Sequence, residues 1–328
     1  AKAINSSTAD VVNLHWVTDG FLSIEEIGKI DKPVVWSMYD MWPFSGSEHY
    51  GVDSLSARWR SGYSGSNRPD DESGFDLDRW TWQRKKTSWN PMHMIPASPW
   101  LADKVHSSAL MGNWPVTRIP HVVDTATFAP MEQREARRQC GLPDSGPLLL
   151  FLASAGIADN RKGFDFLKEA LGGVRHTHRE LRIVVAGPPM PEYTSSSGVP
   201  ILWRGNVDGD EALRALYCSA DLLAVPSRED NMPLTAMEAQ SCGVPVVAFD
   251  IGGLSDIVIN EKTGLLIPAL DTKKLGAAIS HLLSEQSLRI QMASEAERHA
   301  NHTWSPKVVA QHYLEVYSLL TGVENLDQ

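Results

Sequence analysis

Asp230 and Glu238 stand with seven residues between them, and the chain around them is built to hold a ligand. The apolar run Leu222 to Val225 reads as a strand and leads into a polar loop, Ser227 to Asn231. A helix is expected from about Pro233 to Gly243, then a strand, Val244 to Phe249, that ends at Asp250 before Gly252 and Gly253. A loop and helix N-terminus at the carboxyl end of a parallel strand is an anion site, because the first amides of a helix have no partner within it. Glu238, about two turns into that helix, can reach hydroxyls on the same ligand. An anion with hydroxyls is the chemistry of a nucleotide sugar. The plainer reading gives any α/β protein such a unit, with Asp230 as an N-cap and Glu238 on an exposed helix face.

Composition bounds the function. At 328 residues, 42% hydrophobic and 21% charged, the chain can bury the cores of two domains. A net charge of −10 argues against a general nucleic-acid binder, though not against a local basic patch. Cys140, Cys218 and Cys242 are widely spaced, with no C-x-x-C pair, so neither a disulfide framework nor a zinc site is expected and the reducing cytoplasm is. No apolar run approaches the roughly 20 residues of a membrane span, and the start shows no signal-peptide pattern.

Two α/β halves are expected. In the first, strands are read at Val11–His15, Pro33–Met38 and Met94–Ala97, with helices opening at Ser23 and at Pro99. Between Phe44 and Asn90 lies a polar, aromatic excursion with one helix near its end. A linker is read near Asp124–Pro130. The second half opens on Leu148 to Ala153, a continuous apolar strand of the kind parallel sheets bury on both faces. Strands and helices then alternate, which predicts a parallel sheet, and the tail from Pro306 reads as an amphipathic helix. No repeat or low-complexity tract is present.

The strings KPVVWSMYDMWPFSGSEHY (32–50), PASPWLADKVHSS (96–108), IPHVVDTATFAP (119–130), NRKGFDFLKEAL (160–171), WRGNVDGDEALRALYCSADLLAVPS (203–227), GGLSDIVINEKTGLLIP (252–268) and the stretch from Asp230 run in one order through nearly the whole chain. In that order they resemble the family 4 retaining glycosyltransferases of the GT-B fold, and within them bacterial exopolysaccharide enzymes of the colanic-acid type. The resemblance implies two Rossmann-like parallel-sheet domains facing across a cleft: an acceptor-side domain over 1–130, a nucleotide-sugar domain over 131–303, and a tail over 304–328 that crosses back to the first. It also implies strands and a glycine-rich loop upstream of Val11, so the N-terminal domain is expected to be incomplete, the chain being a fragment or its upstream part not included.

The resemblance further implies a hexosyltransferase, metal-independent and without a cofactor beyond its nucleotide-sugar co-substrate. The acceptor would be a glycan or lipid-linked glycan of polysaccharide biosynthesis, met at the inner face of the membrane. Lys162 with Arg161 falls where the family places its diphosphate cation, and a basic pair opening a helix is otherwise disfavoured by the helix dipole. Asp230 matches the acid that touches the donor sugar, and Glu238 the ribose clamp. The amides of Leu234 and Thr235 would hold the diphosphate, with Asn231, Gly252 and Gly253 beside them. Arg204, Gly205, Asn206 and Val207 would edge the base pocket, next to Gly187.

Departures from the family are equally legible. Tyr39 stands where the family has a histidine facing the donor sugar, and Asp230 is one methylene shorter than the usual glutamate. Asn231 and Pro233 replace glycines, and Pro233 has no N–H to give. Gly156 takes the place of an additional arginine that usually lies about six residues before the family's lysine, and Glu48 that of the first residue of a cysteine cluster. These changes keep two other readings open: a catalytically inactive GT-B binding or scaffold subunit, and a GT-B sugar-nucleotide epimerase, whose expected histidine and arginine set is not found. Asp76-Leu77-Asp78 and Asp208-Gly209-Asp210 fit D-x-D, but such triplets arise by chance in acidic loops. His15, His49, His93 and His106 have no metal-ligand spacing and read as structural. The Trp and Arg residues between 58 and 89 fit either an aromatic mini-core or a surface for sugar rings or an anionic lipid carrier.

Overall fold

The computed structural model describes residues 1–18, 20–51, 53–153, 156–188 and 198–322. The chain divides into two compact units, one of Ala1–Pro120 with the chain from Ala310 on, the other of His121–Val309.

The first unit carries α1 (Lys2–Asn5), β1 (Val12–His15), α2 (Ile24–Gly28), β2 (Val34–Met38), α3 (Arg58–Ser61), α4 (Leu77–Ser88), β3 (His93–Pro96) and α5 (Pro99–Ser107). Its three strands pair in parallel in the order β1-β2-β3. Polar residues start the helices where the sequence places them: Ser23, Asp76 and Ser98 each accept the backbone N–H three residues on. Among its described residues the excursion holds two helices, not one. Trp59, Trp82 and Trp89 are buried in the unit's core with Trp36 and Phe44, so the mini-core reading applies to them, while Trp80 lies outside it, 46% exposed. Lys85 is fully buried among these rings. Its ammonium donates to the carbonyls of Trp42, Ser45 and Gly46 and sits 3.8 Å from the centre of the Trp42 ring.

The second unit carries α6 (Gln133–Gln139), β4 (Leu148–Leu152), a 3-10 turn (Asn160–Lys162), α7 (Phe164–Val174), β5 (Arg182–Ala186), β6 (Ile201–Gly205), α8 (Asp210–Ser219), β7 (Leu222–Val225), α9 (Leu234–Ser241), β8 (Val246–Phe249), α10 (Leu254–Ile257), β9 (Gly264–Ile267), α11 (Thr272–Ser284), α12 (Gln286–Thr303) and the start of α13 (Pro306–Thr321). Its sheet is parallel throughout, in the order β6-β5-β4-β7-β8-β9. In chain order that is 3-2-1-4-5-6, so the winding reverses between β4 and β7 and opens a crevice at their carboxyl ends. Both faces of the central strands are covered, which is why β4 and β7 are apolar at every position. Leu149 and Phe151 face a core shared with α7 and α11.

The division between the units falls at Pro120, ten residues before the sequence-based boundary at Pro130. The reason is local. Arg214 donates to the carbonyls of Ala129 and Pro130, the Ser241 hydroxyl donates to that of Phe128, and Val123 N–H donates to Trp304. The stretch read as a linker is thereby sewn onto the second unit. At the other end, α13 passes from one unit to the other, and the division falls at Ala310 rather than Trp304. Its outer part is tied to the first sheet, where Tyr317 accepts from Asn13 and Tyr313 bonds the Ser37 hydroxyl, each at 2.8 Å.

Candidate functional site

The crevice between β4 and β7 gathers residues that lie far apart in sequence. Lys162 ends the turn that precedes α7, and Asp230 ends the loop after β7. Lys162 Nζ and Asp230 Oδ2 are 2.7 Å apart, and Arg161 lies 3.5 Å from the same oxygen. Asp230 is buried, 5% exposed, and also accepts from the Ser227 hydroxyl. The two loops are stitched together beneath this pair. Arg228 N–H donates to Arg161 O at 2.8 Å, and the Arg228 guanidinium forks onto Asp165 at 2.6 and 2.9 Å.

Glycines make the approach possible. A Cβ on Gly252 would lie 1.9 Å from the Asp230 carbonyl, and one on Gly163 1.9 Å from that of Pro226. Gly253 N–H donates to the same Asp230 carbonyl at 3.1 Å, so Gly252 and Gly253 buttress Asp230 from behind. Gly187, at φ 135°, would collide with Ala153 O, and its N–H donates to Gly205 O at 2.8 Å.

The helices that open here lack side-chain caps: α7 begins at Gly163 and α9 at Pro233, neither of which supplies an acceptor. At the start of α9 the amides of Leu234 and Thr235 are therefore left for an anion, whereas in α7 those of Asp165 and Phe166 face the Asp165 carboxylate. A cavity of about 360 Å³ lies against the start of α9, lined by Thr235 with Lys162, Gly187, Asn206 and Val207 among others. Leu234, 44% exposed, does not line it, and neither do Asp230, Asn231 or Glu238. Arg204 does not line it either. The arginine lines a separate cavity of about 400 Å³ with Cys140 and Glu211, the 206–208 segment being common to both. Asn231 is buried beside Asp230.

Glu238 lies one turn beyond Thr235 on α9. It is largely enclosed, and its Oε2 accepts from the buried Tyr217 hydroxyl at 2.7 Å. Burial pushes its carboxyl up to about 7, against the opposing pull of that hydrogen bond. The exposed helix residue of the plainer sequence reading is thus excluded. Nor is Asp230 the N-cap of α9, a place taken by Pro233.

Tyr39 lies in the first unit, just past β2, with its hydroxyl 3.0 Å from His15 Nδ1. Burial raises it above the ordinary phenol range. Neither D-x-D triplet forms a ligand set. Asp76 caps α4 and pairs with Arg58, while Asp78 accepts from Ser47. Among the described residues no cluster of His, Cys, Asp and Glu could hold a metal ion. Sequence reasoning missed Tyr217, whose place at the end of α8 carried no sign that it would meet Glu238. It read His15 and His49 as structural, without naming the partners they meet, Tyr39 and Asp40.

Residues 146–285 match the family model described as glycosyl transferases group 1. The fold is GT-B. The sucrose-phosphate synthase of Thermosynechococcus elongatus superposes with a TM-score of 0.71 at 19% identity, over 95% of this chain and 74% of that one. Anabaena Alr3699/HepE, solved in complex with UDP-glucose, superposes with a TM-score of 0.63 at 17% identity, over 88% of this chain and 73% of that one. In sequence, the D-inositol 3-phosphate glycosyltransferase of Salinispora arenicola is 36% identical over 218 residues, 60% of this chain and 47% of that protein. The chain spans about half the length of the curated relatives it matches. Those relatives carry inositol-phosphate names, not names of the colanic-acid type that the strings suggested. No helix among the described residues is long and apolar enough to cross a membrane.

Proposed function

We propose that the chain transfers a sugar, with retention, from a nucleoside diphosphate sugar to an acceptor hydroxyl. The observation that carries this reading is the meeting of Lys162, Asp230 and the uncapped start of α9 at the switch point of the second sheet. The diphosphate rests on the amides of Leu234 and Thr235 with Lys162 and Arg161 against it. Glu238 accepts from the ribose hydroxyls, and the base lies towards Gly187, Asn206 and Val207. Asp230 exchanges its pairing with Lys162 for donor-sugar hydroxyls.

The bond from the anomeric carbon to the diphosphate breaks, and its electron pair leaves with the phosphate. The acceptor oxygen bonds to that carbon on the same face, and its proton passes to the departing phosphate. Lys162, Arg161 and the helix amides stabilise the growing negative charge, a role whose loss costs roughly 3 kcal/mol per preorganised donor. Because these groups take the cation's part, turnover needs no divalent metal and survives chelation by EDTA. The acceptor is a hydroxylated ring of a glycan or lipid-linked glycan, used in the cytoplasm at the membrane face.

A thermal-shift panel of UDP-, GDP-, ADP- and TDP-sugars, followed by turnover of the stabilising donor, tests the reading. One nucleotide should stabilise the chain, Lys162→Ala should cut turnover by orders of magnitude, and Glu238→Ala should weaken nucleotide binding. Full activity in both variants, or no stabilisation by any nucleotide, would sink it.

A further inference from the structure

The turn that carries Lys162 is too short to fix itself. Asn160–Lys162 is a single 3-10 turn, started by Asp159, whose Oδ1 accepts from Arg161 N–H at 3.0 Å. Within it Lys162 N–H donates to Asp159 O at 3.0 Å and Gly163 N–H to Asn160 O at 3.2 Å. The lysine stem is long and flexible, so where the ammonium comes to rest depends on what holds this backbone.

Arg228, on the loop after β7, grips the turn on both sides of Lys162. Ahead of it, the Arg228 backbone N–H donates to Arg161 O at 2.8 Å and Nη1 donates to Asn160 O. Beyond it, Nη1 and Nη2 hold the Asp165 carboxylate at 2.9 and 2.6 Å. The guanidinium lies over the Phe166 ring, 4.0 Å from its centre, and Phe166 in turn meets Phe249 of the core at 5.7 Å. Asp165 is a firm anchor. The Arg228 fork and the first amides of α7 hold its carboxyl below the ordinary carboxylate range.

The pair is wet, with 35% of the Arg228 side chain and 50% of that of Asp165 exposed. An ion pair so exposed adds little to the stability of a fold. It does, however, tie together the two loops that bring Lys162 to Asp230. A planar guanidinium can fork onto a carboxylate and still reach a carbonyl, which suits such a brace better than an ammonium does.

We propose that Arg228 is a positioning residue for Lys162, and that its grip on Asn160, Arg161 and Asp165 holds the ammonium where charge develops on the leaving diphosphate. The part played at the diphosphate rests on the glycosyl-transfer reading, whereas the bracing of the turn does not.

Two measurements on the full chain test this. Hydrogen–deuterium exchange without ligand reads the brace. Arg228→Gln should speed exchange at the Lys162 and Gly163 amides roughly ten-fold, while the urea midpoint scarcely moves. Arg228→Lys should restore protection only in part, because it lacks the fork. Kinetics with the donor that the nucleotide panel selects read what the brace is for. A displacement of about 1 Å can cost roughly a hundred-fold in rate, so kcat should fall about ten- to a hundred-fold in Arg228→Gln, with donor KM kept within about three-fold. Asp165→Asn should do the same, and the double variant should be no slower than the slower single one, the mark of two side chains acting as a unit. Unchanged exchange in Arg228→Gln, or an unchanged kcat, would overturn the proposal. So would a large fall in the urea midpoint, which would make the pair merely structural. Should the wild type turn over no donor, the glycosyl-transfer reading falls, and the exchange measurement alone decides whether Arg228 braces the turn.

Discussion

Replacing Glu238 with Gln should move stability and ligand affinity in opposite directions. In the folded chain burial holds this carboxyl at about 7, against 4.5 for the free side chain. Its folded pKa is raised, so the folded state binds the extra proton between those two values, and stability falls as pH rises from about 4.5 to 7. Above 7 the full cost of keeping a buried carboxylate is present, on the order of 3 kcal/mol as an upper bound. Gln keeps the shape and an acceptor for the Tyr217 hydroxyl without the charge. Near pH 8, Glu238→Gln should therefore resist urea better than wild type by up to about 3 kcal/mol, while near pH 4.5 the two should nearly coincide. Nucleotide binding should respond the other way. Charge-assisted bonds to two ribose hydroxyls would be lost, at roughly 1.5 to 3 kcal/mol each, so affinity should drop at least ten-fold. Urea titrations across this pH range, paired with calorimetry on the nucleotide that stabilises best, read both effects. Parallel pH slopes in the two proteins would refute the burial argument, and unchanged affinity would refute the ribose contact.

Lys162→Met should leave the buried Asp230 with Arg161 alone and destabilise by about 3 kcal/mol in urea, whereas Lys162→Met with Asp230→Asn should recover most of that loss and remain inactive. A double variant no more stable than the single one would contradict the pairing. Lys85→Met strips three carbonyls of their shared donor inside the aromatic core, and a loss of about 3 to 5 kcal/mol is expected. A shift below about 1 kcal/mol would show that the ammonium is dispensable. Gly252→Ala would drive a methyl group into the Asp230 carbonyl at a φ of 61°, so both melting temperature and nucleotide affinity should fall, and a variant that binds nucleotide normally would remove Gly252 from the support of the site.

The sequence by itself determined the local elements and the residue types of the crevice. Continuous apolar runs such as Leu148 to Leu152 require a strand buried on both faces, Ser23, Asp76 and Ser98 start helices by capping them, and Gly163, Gly187 and Gly252 stand where backbones must nearly touch. It was silent where the signal is weak: α6, seven residues of mostly polar type (QREARRQ), shows no apolar stripe, and the segment 121–130 looks like any linker until Arg214 and Ser241 bind its carbonyls. Only the tertiary structure decided what the reactive groups meet. Lys162 and Asp230 are 68 residues apart and share an ion pair because the sheet reverses its winding between β4 and β7. The same holds for Glu238 under Tyr217, and for Arg204, which the 206–208 segment leaves lining a cavity other than that of Lys162. Side-chain type and spacing are written along the chain. A pKa, an ion pair or a stacked ring depends on distance and exclusion of water, and those exist only once strands distant in sequence lie side by side.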